Sequence, residues 1–302
     1  MVRCATLVIG PAGAGKSTYC NLMRTHCEAQ RRRVHVVNLD PAAEHFRYPV
    51  AADIRDLVPL EDVMSELRLG PNGGLIYAME YLVDNIDWLE SELDDLGGDE
   101  YVLFDCPGQV ELYSHVPAMS RVVSELQRMG FRLASVYLID STFLQDAPKF
   151  VAGVLACLSA MTMLELPHCN VRQLSPGHRA RRRPLGGERL TRRSGEQVLS
   201  KCDLLPNRRL LDELLDADAA VLRSRLDEGT RPAFLRLNSA ICELLEDWSM
   251  VQFLPLDPRD TDSVDEILAQ IDNALQYHED VEPRDPDERD EDDPEVEEHD
   301  ES

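Results

Sequence analysis

At 302 residues, 43% hydrophobic and 29% charged, the chain is long enough to bury a full core as one large domain or two small ones. A formal net charge of −25 removes the basic footprint that direct binding to DNA or RNA requires. No apolar run is expected to reach the roughly 18 residues of a membrane span, and no secretory leader is expected ahead of the first motif, so the expected compartment is the cytosol, with shuttling to the nucleus left open.

In chain order, strands are expected at 5–10, 34–40, 101–107, 132–140 and 251–257, with a broken one across "HCNV" and "VLSK". Helices are expected at 17–31, 74–96, 114–129, 148–165, 206–216, 234–247 and 261–277. Such near-continuous apolar strand runs suit a sheet covered on both faces. Their alternation with helices predicts an α/β fold over 1–278: a doubly wound, mostly parallel sheet that presents ligands at its carboxyl edge. From His278 onward the chain carries fifteen acids against two arginines and no aromatic residue. Residues 279–302 therefore read as a disordered acidic tail, either solubilising or docking a basic partner. The eight cysteines (Cys4, Cys20, Cys27, Cys106, Cys157, Cys169, Cys202 and Cys242) show no CxxC or zinc-finger spacing and read as reduced, mostly buried thiols.

The first strand runs into "GPAGAGKST", Gly10 to Thr18, which fits GxxxxGK[ST] in its required context of strand before and helix after. Gly10, Gly13, Ala14 and Gly15 would turn backbone N–H groups toward phosphate, joined by those of Ser17 and Thr18 at the helix N-terminus. Lys16 would reach the β- and γ-phosphates, and the Ser17 hydroxyl would ligate Mg²⁺. The motif implies a nucleoside triphosphate but neither its base nor its reaction. In "FDCPGQVEL", Asp105 ends an apolar strand, where a carboxylate calls for a cation, and Gly108 lets the backbone approach a γ-phosphate. Gln109 then stands where some P-loop GTPases carry the glutamine that orients the attacking water. "SKCD", Ser200 to Asp203, fits the pattern that reads guanine. Asp203 would accept two hydrogen bonds from the base edge, and the stem of Lys201 would lie over the purine. "FLPLD", 253–257, is either the last base-contacting loop or a buried strand end.

Together "GPAGAGKSTYC", "NLDPAAEHFRYPVAADIRDL", "GPNGGLIYAMEYL", "FDCPGQVELYSHVP" and "SKCDLL" resemble the GPN-loop GTPases, most nearly the third paralogue type of that family. The likeness covers nearly all of 3–278. It implies a P-loop NTPase fold with GPN-loop and helical insertions, and Mg²⁺-dependent hydrolysis of GTP; with no obvious arginine finger, turnover is expected to be slow. It further implies that Asp40 is a switch carboxylate near Mg²⁺ and water, and that Asn72 of "GPN" acts in trans on a partner's nucleotide. Asp53 and Arg55 fall in a switch segment without individual roles. The implied partners are a paralogous GPN-loop GTPase, in a heterodimer or homodimer, and RNA polymerase II subunits, in polymerase assembly and nuclear import; neither direct nucleic-acid contact nor a membrane is implied. Two alternatives differ in kind: a nucleotide-dependent adaptor with incidental hydrolysis, and a P-loop ATPase or small-molecule kinase.

One stretch fits none of this. "HCNVRQLSPGHRARRRPLGGERLTRRSGEQVLSKCDLL", 168–205, sets eight arginines into an acidic chain without strand or helix period. A basic arm, a tolerated surface insertion, and a translated intron or gene-prediction error are the candidate readings. Its mid-strand position, where a loop would split a buried ladder, favours the last. Deleting either 172–198 or 171–197 restores "ELPHCNVLSKCDLL", so 172–197 is expected to be non-native or disordered.

Overall fold

The computed structural model describes residues 3–97, 101–140, 146–172, 196–200, 219–228, 230–247, 252–256 and 258–277. Within them lie strands β1 (Arg3–Ile9), β2 (Val34–Asn38), β3 (Ala52–Asp53), β4 (Tyr101–Asp105), β5 (Phe131–Asp140), β6 (His168–Arg172), β7 (Glu196–Ser200) and β8 (Gln252–Pro255). The helices are α1 (Lys16–Ala29), α2 (Ile54–Leu57), α3 (Leu60–Leu67), α4 (Pro71–Asp84), α5 (Ile86–Asp94), α6 (Glu111–Ser114), α7 (Ala118–Arg128), α8 (Ala147–Leu164), α9 (Ala219–Asp227), α10 (Leu235–Asp247) and α11 (Thr261–Leu275), with a short 3₁₀ turn at Pro232–Phe234.

All pairings are parallel, and the order β3-β2-β4-β1-β5 continues into β6, β8 and β7. Alternate residues of each strand supply two cores. Ala5, Leu7 and Ile9 face one side, where α4, α5, α7 and α8 pack. Cys4 and Val8 face the other, beneath α1 and α11. Both faces are covered, so the strands read as unbroken apolar runs, and the doubly wound class expected from the sequence is what forms.

Several expected elements change. The single helix at 74–96 is two, α4 and α5. Asn85 sits between them outside helical geometry, its side-chain amide donating to the Tyr81 carbonyl at 2.8 Å. The helix at 114–129 is likewise divided, because Pro117 caps α7 and the chain turns after Ser114. Helices α2, α3 and α9 and the two-residue β3 escaped notice, the first and last being barely periodic. The expected helix at 206–216 and the tail at 279–302 lie outside the described residues. Contrary to the expectation that no apolar run reaches the length of a membrane span, α8 is long and apolar enough to cross one, with a mean hydropathy of 1.6. Half of that helix is buried inside the protein, including Phe150, Val154, Cys157 and Leu164 of the first core.

Helix α11 is fastened to the sheet by one buried ion pair. Arg32 Nη1 donates to both carboxylate oxygens of Asp272, at 2.9 and 2.8 Å. Its guanidinium carbon lies 4.3 Å from the Tyr101 ring centroid and 3.9 Å from that of Tyr277.

Candidate nucleotide site

The carboxyl ends of β1, β2 and β4 converge, as parallel pairing requires. Val8 stands opposite Asp105, and Asp105 opposite Asn38. Beyond β1 the chain leaves the sheet at Gly10, with φ 139°; a Cβ there would lie 2.3 Å from the Leu138 carbonyl oxygen. Only glycine fits that approach. The turn closes with Ala14 N–H donating to the Pro11 carbonyl at 3.1 Å, and α1 starts at Lys16 after left-handed Gly15. Gly13 also has positive φ, Ala14 is buried, and Ser17 and Thr18 lie in the first helical turn. The backbone N–H groups there lack intrahelical partners and are available to an anion.

Lys16 is buried, 7% exposed, and interacts electrostatically with Asp105 and Asp40. Asp105 is 2% exposed and accepts hydrogen bonds from Ser17 and from the Tyr48 hydroxyl, the latter at 2.6 Å. Burial raises its pKa, against the lowering effect of those two bonds and of Lys16. Burial likewise raises Asp40, while the Ala42 N–H (3.0 Å to Oδ1) and Lys16 oppose the shift and Asp105 adds to it. Two partly desolvated carboxylates beside one lysine are short of positive charge. With the Ser17 hydroxyl they form a hard-oxygen donor set that suits Mg²⁺, which takes few protein ligands and completes its shell from phosphate and water. Among the described residues no group of three or more His, Cys, Asp or Glu could hold a metal, so the fit depends on a phosphate supplying the remaining oxygens.

After Asp105 the chain passes Cys106 and Pro107 to Gly108, whose Cβ, if present, would lie 2.8 Å from Ala12 Cα. The DxxG turn therefore abuts the P-loop. Gln109 follows, and its Nε2 donates to Asn72 Oδ1 at 2.7 Å. Its own Oε1 is buried without a partner. Asn72 is exposed at the start of α4, where Gly70 is the extended cap residue and Pro71 the first helical residue. Gly-Pro-Asn thus forms a helix start that brings the asparagine to the site. The contact is made within one chain, whereas the resemblance implies action in trans.

The segment between β2 and α2 is organised by Asn38, Asp53, Arg55, Phe46 and Tyr48, none of which carries a role in a motif reading. Asn38 Nδ2 donates to the Asp40 carbonyl (3.0 Å) and to Asp53 Oδ1 (2.8 Å), and Asn38 Oδ1 accepts from the Asp40 N–H (3.0 Å). Asp53 caps α2 through the Arg55 N–H and binds the Arg55 guanidinium, whose Nη1 reaches the Ala43 carbonyl at 2.8 Å. Burial alone would raise the Asp53 pKa; hydrogen bonds from Arg55 and Asn38 outweigh it and hold the carboxyl below its usual value. Arg55 also lies over Phe46, 4.6 Å from the ring centroid, and Phe46 meets Tyr48 at 5.3 Å. Asp53 and Arg55 thus fix the loop that carries Asp40 and Tyr48.

The structure brings Gly10, Lys16, Ser17, Asp40, Asp105, Gly108, Gln109 and Asn72 to one edge of the sheet. Lys201 and Asp203 lie outside the described residues. Ser200, which opens their motif, ends β7 opposite Asp140 at that same carboxyl edge.

A family profile described as "Conserved hypothetical ATP binding protein" matches residues 8–180 and 197–277. GPN-loop GTPase 3 of Dictyostelium discoideum is 47% identical over 283 residues, 93% of this chain and 90% of the relative. That of Xenopus tropicalis is 46% identical over 297 residues (97% and 94%), and that of Saccharomyces cerevisiae 44% over 292 (95% and 97%). The crystal structure of a GTPase from Pyrococcus abyssi in apo form superposes with a TM-score of 0.67 over 90% of this chain and 97% of that one, at 20% identity, which speaks to the fold. Identity at the level of the three named relatives, sustained over nearly the whole of both chains, shows that this chain belongs to the GPN-loop GTPases.

Proposed function

We propose that the chain hydrolyses GTP slowly, as a Mg²⁺-dependent switch, by in-line attack of water on the γ-phosphate. The observation that carries the reading is the unpartnered, buried Oε1 of Gln109, one residue beyond the glycine that touches the P-loop. A buried acceptor left open is costly in a resting protein and useful where a water must be held. Lys16 and the N–H groups of 13–18 stabilise charge on the phosphates, while Gln109 and Asp40 orient the water. Ser17 and Asp105, with Asp40 nearby, would hold Mg²⁺, which when bound neutralises charge between the β- and γ-phosphates. Guanine is favoured over adenine by the Ser200–Asp203 motif and by the names of the relatives.

The wider setting rests on the resemblance: a dimer with a paralogous GPN-loop GTPase or a second copy, RNA polymerase II subunits as clients of assembly and nuclear import, and residence in the cytoplasm with shuttling to the nucleus. For Asn72 to reach a partner's nucleotide, its hydrogen bond to Gln109 of its own chain has to open.

The test is single-turnover hydrolysis with a fluorescent guanine nucleotide, Gln109→Ala against the unaltered chain. Loss of about 100-fold in rate, worth roughly 2.7 kcal/mol, with unchanged affinity is the expected outcome. An unchanged rate, or tighter binding of ATP than of GTP, would refute the assignment.

A further inference from the structure

The outer edge of β5 has two occupants in tandem. Ser135 and Val136 pair with His168 and Cys169 of β6; the next rungs, Tyr137 to Asp140, pair with Gln197 to Ser200 of β7. Between adjacent rungs the partner chain jumps from 169 to 197. Strand β8 records the same jump independently. Leu254 pairs with both Val171 and Val198, and Pro255 with both Arg172 and Leu199. On β8 the two strands are offset by 27 positions (198 less 171), and on β5 a strand continuing from Cys169 would have placed Asn170 where Gln197 stands, an offset of 27 again (197 less 170). Two neighbours thus give one number: β6 and β7 are each fitted to the same place in the sheet.

We infer that this chain has a shorter form lacking Val171–Gln197, in which His168–Asn170 runs directly into Val198–Ser200 as one strand between β5 and β8, and that the shorter form is the nucleotide-binding one. Joining Asn170 to Val198 preserves every rung on both neighbours, since the excision removes the whole offset. It also removes an edge competitor from β5, whose ladder a single strand fills without interruption. The family profile skips 181–196, within the excised block, and resumes at Gln197. The genetic code is compatible with removal at the RNA level. Valine codons begin with GU and glutamine has CAG, so a block opening on Val171 and closing on Gln197 accommodates the GU and AG ends of an intron without a change of frame. The excised residues carry all eight arginines noted above, so the shorter chain also loses its basic run.

Stability and nucleotide binding separate this inference from the guanine reading, on which only its second half rests. Three chains are to be purified: the full chain, the chain lacking 171–197, and a control lacking 172–197, which retains one extra residue and throws the strand one position out of register. The expected order of thermal midpoints places the 171–197 deletion highest, by about 5 °C or more over the full chain. The control should melt below the 171–197 deletion, because its strand stands one position out of register with its neighbours. Binding of a fluorescent GDP analogue should tighten about tenfold in the 171–197 deletion relative to the full chain. Equal midpoints for the two deletions would overturn the register argument. A full chain that melts as high as the 171–197 deletion and binds GDP as tightly would overturn the inference as a whole. If only binding fails to improve, the shorter form stands as the stable one and its assignment as the nucleotide-binding form falls. In cells, sequencing of the transcript across codons 165–205 should recover the junction Asn170–Val198. Mass spectrometry should find the tryptic peptide SGEQVLSK, unique to the longer chain, in the minority; its presence in all of the protein would refute a shorter form.

Discussion

Removing Asp272 should be far more damaging than removing the whole ion pair of which it is part. Arg32 is 12% exposed in its side chain and Asp272 6%. The two carboxylate oxygens take hydrogen bonds from Nη1, while Nε and Nη2 are buried with no hydrogen-bond partner. Burial opposes the charge, yet Tyr101, Asp272 and Tyr277 more than offset it and raise the arginine's pKa. Asp272→Ala would leave a desolvated cation held by two tyrosine faces, each worth about 0.5–2 kcal/mol, against a cost for an unpaired buried charge of about 3–5 kcal/mol. At roughly 2–4 °C per kcal/mol for a chain of this size, the melting midpoint should fall by about 10 °C. The double variant Arg32→Met, Asp272→Leu replaces both charges with apolar volume and should recover most of that loss. Thermal and urea melts followed by far-ultraviolet circular dichroism provide the measurement. A single variant within about 2 °C of the unaltered chain, or a double variant no better than the single, would show that α11 is held by its apolar face alone and that the pair is incidental.

Three further outcomes follow from the site. Gly108→Ala puts a methyl carbon against the P-loop backbone at Ala12, so GTP affinity should drop by about tenfold or more, measured by nucleotide titration, with the fold kept. Tyr48→Phe removes a hydrogen bond to Asp105 with little change in shape. Stability should fall by about 1–2 kcal/mol, and the Mg²⁺ concentration that half-protects bound GDP from release should shift, whereas an unchanged Mg²⁺ titration would detach Tyr48 from the metal site. Asp53 has its folded-state pKa below the ordinary carboxylate value, so its contribution is fully present above about pH 4 and is lost as pH falls through the lowered value. Asp53→Asn should therefore flatten the acid limb of the stability curve while costing about 1 kcal/mol at neutral pH.

The phosphate-binding half of the site was legible because its signals are local. Gly10 to Thr18 and Asp105 to Gln109 are short runs whose spacing encodes their own geometry, and each emerges from a strand that apolar periodicity makes visible. Asn38 and Tyr48 were not legible. Their roles exist only once β2 lies beside β4 and the 40–55 loop folds back over Asp105, and no pattern in the chain marks a tyrosine that will meet an aspartate 57 positions later. The division of α4 from α5 was missed because Asn85 interrupts the helix by bonding back to Tyr81. Composition does not distinguish that use of asparagine from an ordinary helical one. The apolar length of α8 was underestimated for the converse reason: Lys149, Ser159 and Thr162 punctuate a helix that burial nonetheless demands be mostly apolar.

Asp105 answers to two masters. One oxygen takes the Tyr48 hydroxyl, and the same carboxylate also takes Ser17 from the first turn of α1. Tyr48 rides on a loop tied to Phe46, Arg55 and Asp53, far in sequence from the phosphate cradle. Whatever draws the Asp105 carboxylate toward the nucleotide therefore pulls on a string whose other end is the outward surface of that loop.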